Sequence, residues 1–143
     1  MNADVELVPC DAARDGAFIR DLTRANFFES MKHVWREERH QREPMNPERY
    51  TMLRRAGETI GFFAVRRDED CLYVQTIQLV PAARGTGIGT QAMHHIRSLA
   101  AGAPVVRLRV LRSNTGARRL YERLGYRTVS EDDEGFIMEL ALL

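Results

Sequence analysis

The sequence predicts an α/β protein whose strands and helices follow the order βααβββαβαββ. One sign is the long apolar-rich run Cys71–Val80, which a glycine-rich turn connects to a helical pattern over Gln91–Ala101. A second sign is the alternation within Val105–Leu111, which is typical of a strand with one buried face. One face carries Val106, Leu108 and Val110, and the other carries Arg107, Arg109 and Leu111. Strands that alternate with helices in this way are typical of a sheet covered by helices.

The N-terminal half predicts a strand, two helices and a hairpin, which cover Asp4–Pro9, Asp11–Ser30, Met31–Arg42, Arg49–Arg55 and Thr59–Arg67. Phe18, Leu22 and Ala25 fall on one face of the first helix. Pro44 and Pro47 end the second helix, because proline cannot continue the hydrogen-bond pattern. The two runs of the hairpin meet at a Gly-Glu turn, which is a hairpin signal.

The C-terminal end predicts a last helix and two last strands. Asn114 is a good helix N-cap, and the helix stops at Gly125. Its apolar face has helical spacing and consists of Ala117, Leu120, Tyr121 and Leu124. The strands cover Tyr126–Ser130 and Phe136–Leu142, on either side of an acidic turn at 131–134.

The size and composition predict one cytoplasmic domain over residues 1–143. No run approaches 18 apolar residues, so no membrane-spanning segment is expected. The N-terminus has neither a basic region nor an apolar run, so it does not resemble a secretory signal. Cys10 and Cys71 are too few for a disulfide framework, which favours a reducing compartment.

The glycine turn, residues 84–90, predicts a phosphate site. Glycines let the main chain approach a ligand, and the following helix N-terminus carries roughly half a positive charge. The Walker motif is excluded, because Thr90 and Gln91 follow Gly89 where Lys and Ser or Thr are required. The Rossmann fingerprint is also excluded, because Thr90 replaces its last glycine and no acidic residue follows within 30 positions.

The charge distribution agrees with a phosphate site. Residues 71–121 contain seven arginines and no acidic residue, whereas the whole chain carries a net charge of only +1. Such a segment predicts either an anionic partner or an unevenly charged surface, and the phosphate turn within it favours a small polyanion. Nucleic acid is not expected, because the segment lacks a basic surface interleaved with aromatic residues.

A second motif follows the glycine turn and reads Asn114-x-x-Ala117-x-x-x-Tyr121-x-x-x-Gly125-Tyr126. Together with Arg84-x-x-Gly87-x-Gly89, this motif resembles the GCN5-related N-acetyltransferase (GNAT) family. The first motif matches the family's acetyl-CoA pyrophosphate loop, and the second matches its cofactor-side helix. The resemblance covers roughly residues 59–143 well and the N-terminal third only by the order of elements.

The resemblance implies a mixed, twisted sheet of about seven strands with helices on both faces. It implies that strands 4 and 5, Cys71–Val80 and Val105–Leu111, splay apart and hold acetyl-CoA in the gap. The N–H of Leu79 would point at the thioester carbonyl. The cofactor-binding residues implied in this way are Leu79, Val80, Arg84, Gly85, Thr86, Gly87, Ile88, Gly89, Thr90, Asn114, Ala117 and Tyr121.

The resemblance further implies direct transfer of an acetyl group from acetyl-CoA, the co-substrate, to an amine. The acceptor is expected to be a small-molecule or peptide amine. A small cationic amine is slightly favoured by the acids of the N-terminal third, Glu29, Glu37, Glu38, Glu43 and Glu48. The protein is expected to act as a monomer or homodimer. No metal is expected, because the adjacent His94 and His95 cannot face one site on a helix.

Tyr121 is expected to be the general acid that protonates the departing thiolate, and an aromatic core residue is the alternative. The general base stays open between water, a residue of the N-terminal helices (Glu29, His33 or Glu37) and no base at all. Many family members carry a glutamate where this chain has Gln75, Gln78 or Arg109. The residues expected around the acceptor are Glu29, His33, Trp35, Tyr50 and Gln75.

The missing glutamates leave a second function open, a non-catalytic sensor of the same fold that binds acyl-CoA without turnover. The presence of Tyr121 argues against this alternative.

Overall fold

The computed structural model describes residues 5–31 and 46–142, with side chains at 5–26 and 46–142. The strands are β1 Glu6–Pro9, β2 Tyr50–Arg55, β3 Glu58–Arg67, β4 Leu72–Leu79, β5 Val105–Leu111, β6 Arg127–Glu131 and β7 Gly135–Ala141. The α-helices of the described ranges are α1 Ala12–Met31, α2 Ile88–Leu99 and α3 Thr115–Arg123, and short 3-10 helices cover Pro47–Arg49 and Pro81–Ala83.

The seven strands form one mixed sheet in the order β1-β2-β3-β4-β5-β7-β6. This arrangement confirms the predicted α/β class and strand count, and most strand bounds agree with the sequence prediction within one or two residues. The predicted helix over Met31–Arg42 lies beyond the described residues except for its first one. No helix of the described ranges has the length and apolar character needed to cross a membrane.

β4 and β5 part halfway along their length, as the resemblance implied. They run parallel and pair only at Leu72–Val74 with Val106–Leu108. β4 then continues to Leu79, where it pairs with β3 alone. The β3–β4 register shifts between two neighbouring pairs, which leaves Gln75 as an extra residue where β4 and β5 separate. A gap therefore opens along one edge of β4.

The helices bury two separate cores on the two faces of the sheet. α1 covers the smaller core, in which Ile19 and Leu22 pack with Met52 and Phe62. α2 and α3 cover the larger core on the opposite face. The buried stripe of α1 differs from the prediction, because Ala25 is exposed and the stripe instead follows Asp15, Ile19 and Leu22.

The start of α1 is fixed by two aspartates. The Asp11 carboxylate accepts hydrogen bonds from the Ala13 and Arg14 N–H groups, 3.0 and 3.1 Å long. The Asp15 carboxylate accepts from the Asp11 N–H at 2.9 Å and forms an ion pair with Arg14. These carboxylates accept from free N–H groups at the start of α1, which would otherwise lack a partner within the helix.

The two outermost strands of the sheet are short and irregular. β1 has four residues and ends in Pro9, which has no N–H to donate. All five residues of β6 are exposed, and its register with β7 shifts between Thr128 and Ser130.

Candidate active site

The loop between β4 and α2 leaves a helix N-terminus without a capping side chain. Gly85 and Gly87 adopt left-handed φ angles of 72° and 86°, a conformation that favours glycine. Gly87 is the N-cap of α2, and Gln91 is the first residue whose N–H bonds to it, at 3.1 Å. The preceding N–H groups of 88–90 have no helical acceptor, and such groups are the ones that anions bind at helix N-termini. α2 begins at Ile88, three residues before the predicted start at Gln91, because Gly89 and Thr90 belong to its first turn.

The two sequence motifs meet beside the end of β4. A β-carbon placed on Gly89 of α2 would lie 3.3 Å from Cδ2 of Leu120 in α3 and 4.0 Å from Cδ1 of Leu79 in β4. Glycine at this position therefore lets α2 approach α3 closely. The loop, the last helix and the free edge of β4 surround one gap.

The start of α3 is capped as the sequence predicts. The side-chain oxygen of Asn114 accepts a hydrogen bond from the Ala117 N–H at 3.2 Å. Ala117, Leu120 and Leu124 pack against the larger core, which confirms the predicted apolar face. Arg118 projects from the flank of α3 and lies 3.7 Å above the ring of Phe136.

The ring of Tyr121 lies inside the larger core. Its centroid is 5.9 Å from that of Tyr126, and the residue is only 6% exposed. Burial raises the pKa of Tyr121 to about 12, so the hydroxyl stays protonated over the whole neutral range. No hydrogen bond joins this hydroxyl to another residue of the described ranges.

The backbone of Leu79 faces the gap. The next N–H, that of Val80, donates to the Ile60 carbonyl at 2.9 Å and so points toward β3. Because successive N–H groups of a strand point in opposite directions, the N–H and C=O of Leu79 point away from β3. The N–H and C=O of Leu79 therefore lie on the edge of β4 that has no neighbouring strand.

One side chain at this edge was missed by the sequence analysis. Asn26 of α1 donates from Nδ2 to Gln78 Oε1 at 2.8 Å and to the Leu79 carbonyl at 3.2 Å. Its Oδ1 accepts from Arg84 of the loop at 2.6 Å. The signal was present, because Asn26 follows Leu22 by four residues and Ile19 by seven, which places a polar group on the buried face of α1.

The excess of arginine between 71 and 121 is partly structural. Within the described residues, ion pairs with acids from outside the segment join Arg107 to Asp70 and Glu139, Arg109 to Asp132, and Arg112 to Glu131. The charge imbalance along the sequence therefore overstates the positive field at the gap.

The residues expected around the acceptor are only partly brought together. Gln75 is exposed at the point where β4 and β5 separate, and Arg109 lies on the neighbouring strand. Tyr50 lies two strands away from β4 and packs its ring 5.8 Å from that of Phe62. Glu29 belongs to α1 where its side chains are not described, and His33, Trp35 and Glu37 lie outside the described residues.

Comparison with known proteins agrees with this geometry. The model of the Acetyltransferase (GNAT) family matches residues 17–126. The fold is similar to the PaiA N-acetyltransferase of Thermoplasma acidophilum in complex with coenzyme A, with a TM-score of 0.74 and 18% identity over 96% of this chain and 99% of that chain.

Two further structures share the fold. The ribosomal-protein-S18-alanine N-acetyltransferase of Escherichia coli gives a TM-score of 0.71 at 20% identity, over 97% of this chain and 94% of that one. The diaminobutyrate acetyltransferase EctA of Paenibacillus lautus gives 0.70 at 15% identity, over 98% and 96%.

The chain therefore belongs to the GNAT family. It is an N-acetyltransferase that depends on acetyl-CoA, which makes it an acyltransferase.

Proposed function

We propose that acetyl-CoA binds in the gap between β4 and β5 and that its acetyl group passes directly to an amine. The observation that carries this proposal is the meeting of Leu79, Gly89 and Leu120 around one gap. The pyrophosphate would lie on the uncapped N-terminus of α2, and the pantetheine arm would pair with the free edge of Leu79. The N–H of Leu79 would then stabilise the charge that develops on the thioester oxygen.

Tyr121 would donate a hydrogen bond to the departing sulfur. An ordinary thiol has a pKa of about 8.5, well below the value of about 12 for Tyr121. Complete proton transfer from this phenol to a thiolate is therefore uphill by roughly 5 kcal/mol. Donation of a hydrogen bond stabilises the thiolate without that transfer, and the proton can then come from the attacking amine.

Direct transfer fits the state of the two cysteines. Burial raises the pKa of Cys71 above that of an ordinary thiol, and the pKa of Cys10 is raised by the same cause. Neither thiol is activated as a nucleophile, because activation requires a lowered pKa. The amine would therefore attack the thioester itself.

The proton of the amine would pass through water to the departing thiolate. Asp132 lies on the flank of the gap, but two hydrogen bonds from Arg109 hold its pKa well below the usual range. Two backbone N–H groups, those of Glu134 and Gly135, lower this pKa further. A carboxylate stabilised in this way is a weak base, and Gln75, which lies where β4 and β5 separate, carries an amide that cannot accept a proton.

We infer that the acceptor is a small cationic amine. The shared fold does not identify the acceptor. One protein of similar fold is complexed with L-2,4-diaminobutyric acid, and another is named for a ribosomal-protein alanine. The inference is supported by the five glutamates that the sequence analysis named in the N-terminal third. The structure describes the side chain of one of them, Glu48, which is exposed. Exposed carboxylates attract a cation before its amine is deprotonated.

A thiol-release assay tests the proposal. Purified protein, acetyl-CoA and a panel of diamines, diamino acids and short peptides with free N-termini would be compared, with omission of the amine as the control. We expect thiol release with at least one small cationic amine and little release with peptides. Tight binding of acetyl-CoA without release for any amine would instead identify a sensor.

A further inference from the structure

The last peptide of β4 is held at both of its ends. The Val80 N–H donates to the Ile60 carbonyl, and the Leu79 carbonyl of the same peptide accepts from Asn26 Nδ2 at 3.2 Å. The second bond comes from α1, because no strand lies on that side of β4 beyond Val74. Asn26 therefore satisfies a carbonyl that the separation of β4 and β5 would otherwise leave without a strand partner.

The hydrogen-bond chemistry allows one orientation for the Asn26 amide. Arg84 is only a donor, so the group facing it at 2.6 Å must be Oδ1 of Asn26. The Leu79 carbonyl is only an acceptor, so it must face Nδ2. Gln78 is fixed in turn, because its oxygen accepts from Asn26 and its nitrogen donates to Thr76 Oγ1 at 3.0 Å. The donors and acceptors of this network are thus fixed, and the network connects α1, β4 and the glycine turn before α2.

We propose that Asn26 is a positioning residue of the cofactor site, which orients both the Leu79 carbonyl and the Arg84 guanidinium before the cofactor arrives. The proposal rests on the proposed binding of acetyl-CoA in the β4–β5 gap. The carbonyl keeps a second lone pair for an amide N–H of the pantetheine arm. Arg84 is a long side chain whose ordering costs rotamer entropy, and holding it in advance strengthens the binding of a pyrophosphate.

A double-mutant cycle on cofactor affinity tests this proposal. The dissociation constant of coenzyme A would be measured by calorimetry for the wild type, Asn26→Leu, Arg84→Ala and the double variant. We expect each single change to weaken binding about tenfold and the double variant to lose clearly less than the product of the two losses. Losses that multiply, or an unchanged affinity in Asn26→Leu, would overturn the positioning role.

Two further variants separate positioning from folding. Asn26→Ser removes the same hydrogen bonds with a smaller side chain and replaces the leucine variant if that variant does not fold. Asp21→Ala changes an exposed residue of the same helix and should leave the affinity unchanged. Thermal melts of all variants should stay close to the wild type, whereas a purely structural Asn26 would lower the melting temperature and leave the affinity of the folded fraction intact.

The outcome also distinguishes this inference from the proposed function. A wild-type chain that does not bind coenzyme A would overturn both. Wild-type binding that is weakened by Arg84→Ala, together with losses that multiply in the double variant, would overturn the role of Asn26 alone.

Discussion

Two buried tyrosines offer a matched pair for testing catalysis at the level of one atom. Tyr121 and Tyr126 pack their rings together in the same core, and the Tyr126 hydroxyl is buried without a hydrogen-bond partner among the described residues. We expect Tyr121→Phe to lower turnover about 10²–10³-fold, because it removes the hydrogen-bond donor to the departing sulfur. Steady-state rates at saturating acetyl-CoA measure this loss, and the affinity for coenzyme A should not change.

Tyr126→Phe is the control for that experiment. In the part of the chain that the structure describes, the buried hydroxyl of Tyr126 has no hydrogen-bond partner, so its removal should leave turnover intact and stabilise the fold slightly or not at all. Normal turnover in Tyr121→Phe, or an equal loss in both variants, would remove Tyr121 from the chemistry and leave it a core residue.

The same pair predicts a loss of stability at high pH. Burial raises the pKa of Tyr121 to about 12 from an ordinary value of 10.0, and it raises the pKa of Tyr126 as well. Above pH 10 the unfolded chain releases these protons while the folded chain keeps them, so the free energy of unfolding must fall as pH rises. Each tyrosine contributes about 1.4 kcal/mol per pH unit between the two pKa values.

Denaturant titrations between pH 9 and 11.5 measure this slope. Tyr126→Phe should reduce the slope by roughly half, because one of the two titrating groups is gone. A free energy of unfolding that does not depend on pH in this range would mean that the tyrosines are not buried as described.

At the scale of single residues, sequence motifs find side chains whose spacing is local, but they miss contacts between distant segments. Tyr121 and Asn114 belong to one helix and could be predicted. Asn26 and Leu79 are 53 positions apart, and only the packing of α1 against β4 brings them together. A polar residue on the buried face of a predicted helix is the one local sign of such a contact.

At the scale of the elements, the approach of α2 to α3 depends on a glycine. We expect Gly89→Val to weaken the binding of coenzyme A strongly, because the new side chain would push against Leu120 and crowd the first turn of α2. Calorimetry on the folded variant measures the loss. The same substitution at Gly87 would also strain a residue whose φ is 86°.

Gly116→Ala is the control at the start of α3. A β-carbon there meets no atom within 4 Å, so the change should leave cofactor affinity unchanged and stabilise the helix slightly. An affinity that is unaffected by Gly89→Val as well would exclude the loop from the cofactor site.

Strand positions were predictable because alternation and turn residues are local signals, and β5 has the bounds that the sequence predicts. The start of α2 was not predictable in this way. Glycine has a low helix propensity and therefore indicates a loop, whereas Gly89 lies inside a helix that tertiary packing stabilises. The separation of β4 from β5 followed from the family motifs and not from any pattern within either strand.

At the scale of the whole molecule, the positive charge near the gap predicts a salt-dependent affinity. Coenzyme A is a polyanion, so its dissociation constant should rise with ionic strength as exposed charges are screened within about 10 Å. The dependence should be moderate, because Arg107, Arg109 and Arg112 are already paired with acids.

Two arginine variants localise this effect in calorimetry at 0.05–0.5 M salt (roughly a threefold change in screening length). Arg84→Gln should reduce the salt dependence, since Arg84 belongs to the turn before α2 on which we propose that the pyrophosphate binds. Arg112→Gln should leave it unchanged, because the charge of Arg112 is spent on Glu131. Equal salt dependence in all three proteins would place the cofactor away from the loop.

The irregular outer strands of the sheet affect how the protein behaves at high concentration. A regular exposed strand would act as a template on which a second chain could extend the sheet and begin an aggregate. Pro9 interrupts that template on one side, and the register shift near Val129, between charged Arg127 and Glu131, interrupts it on the other. Extension of the sheet by a second copy is therefore disfavoured at both outer strands, even though Val129 is 54% exposed.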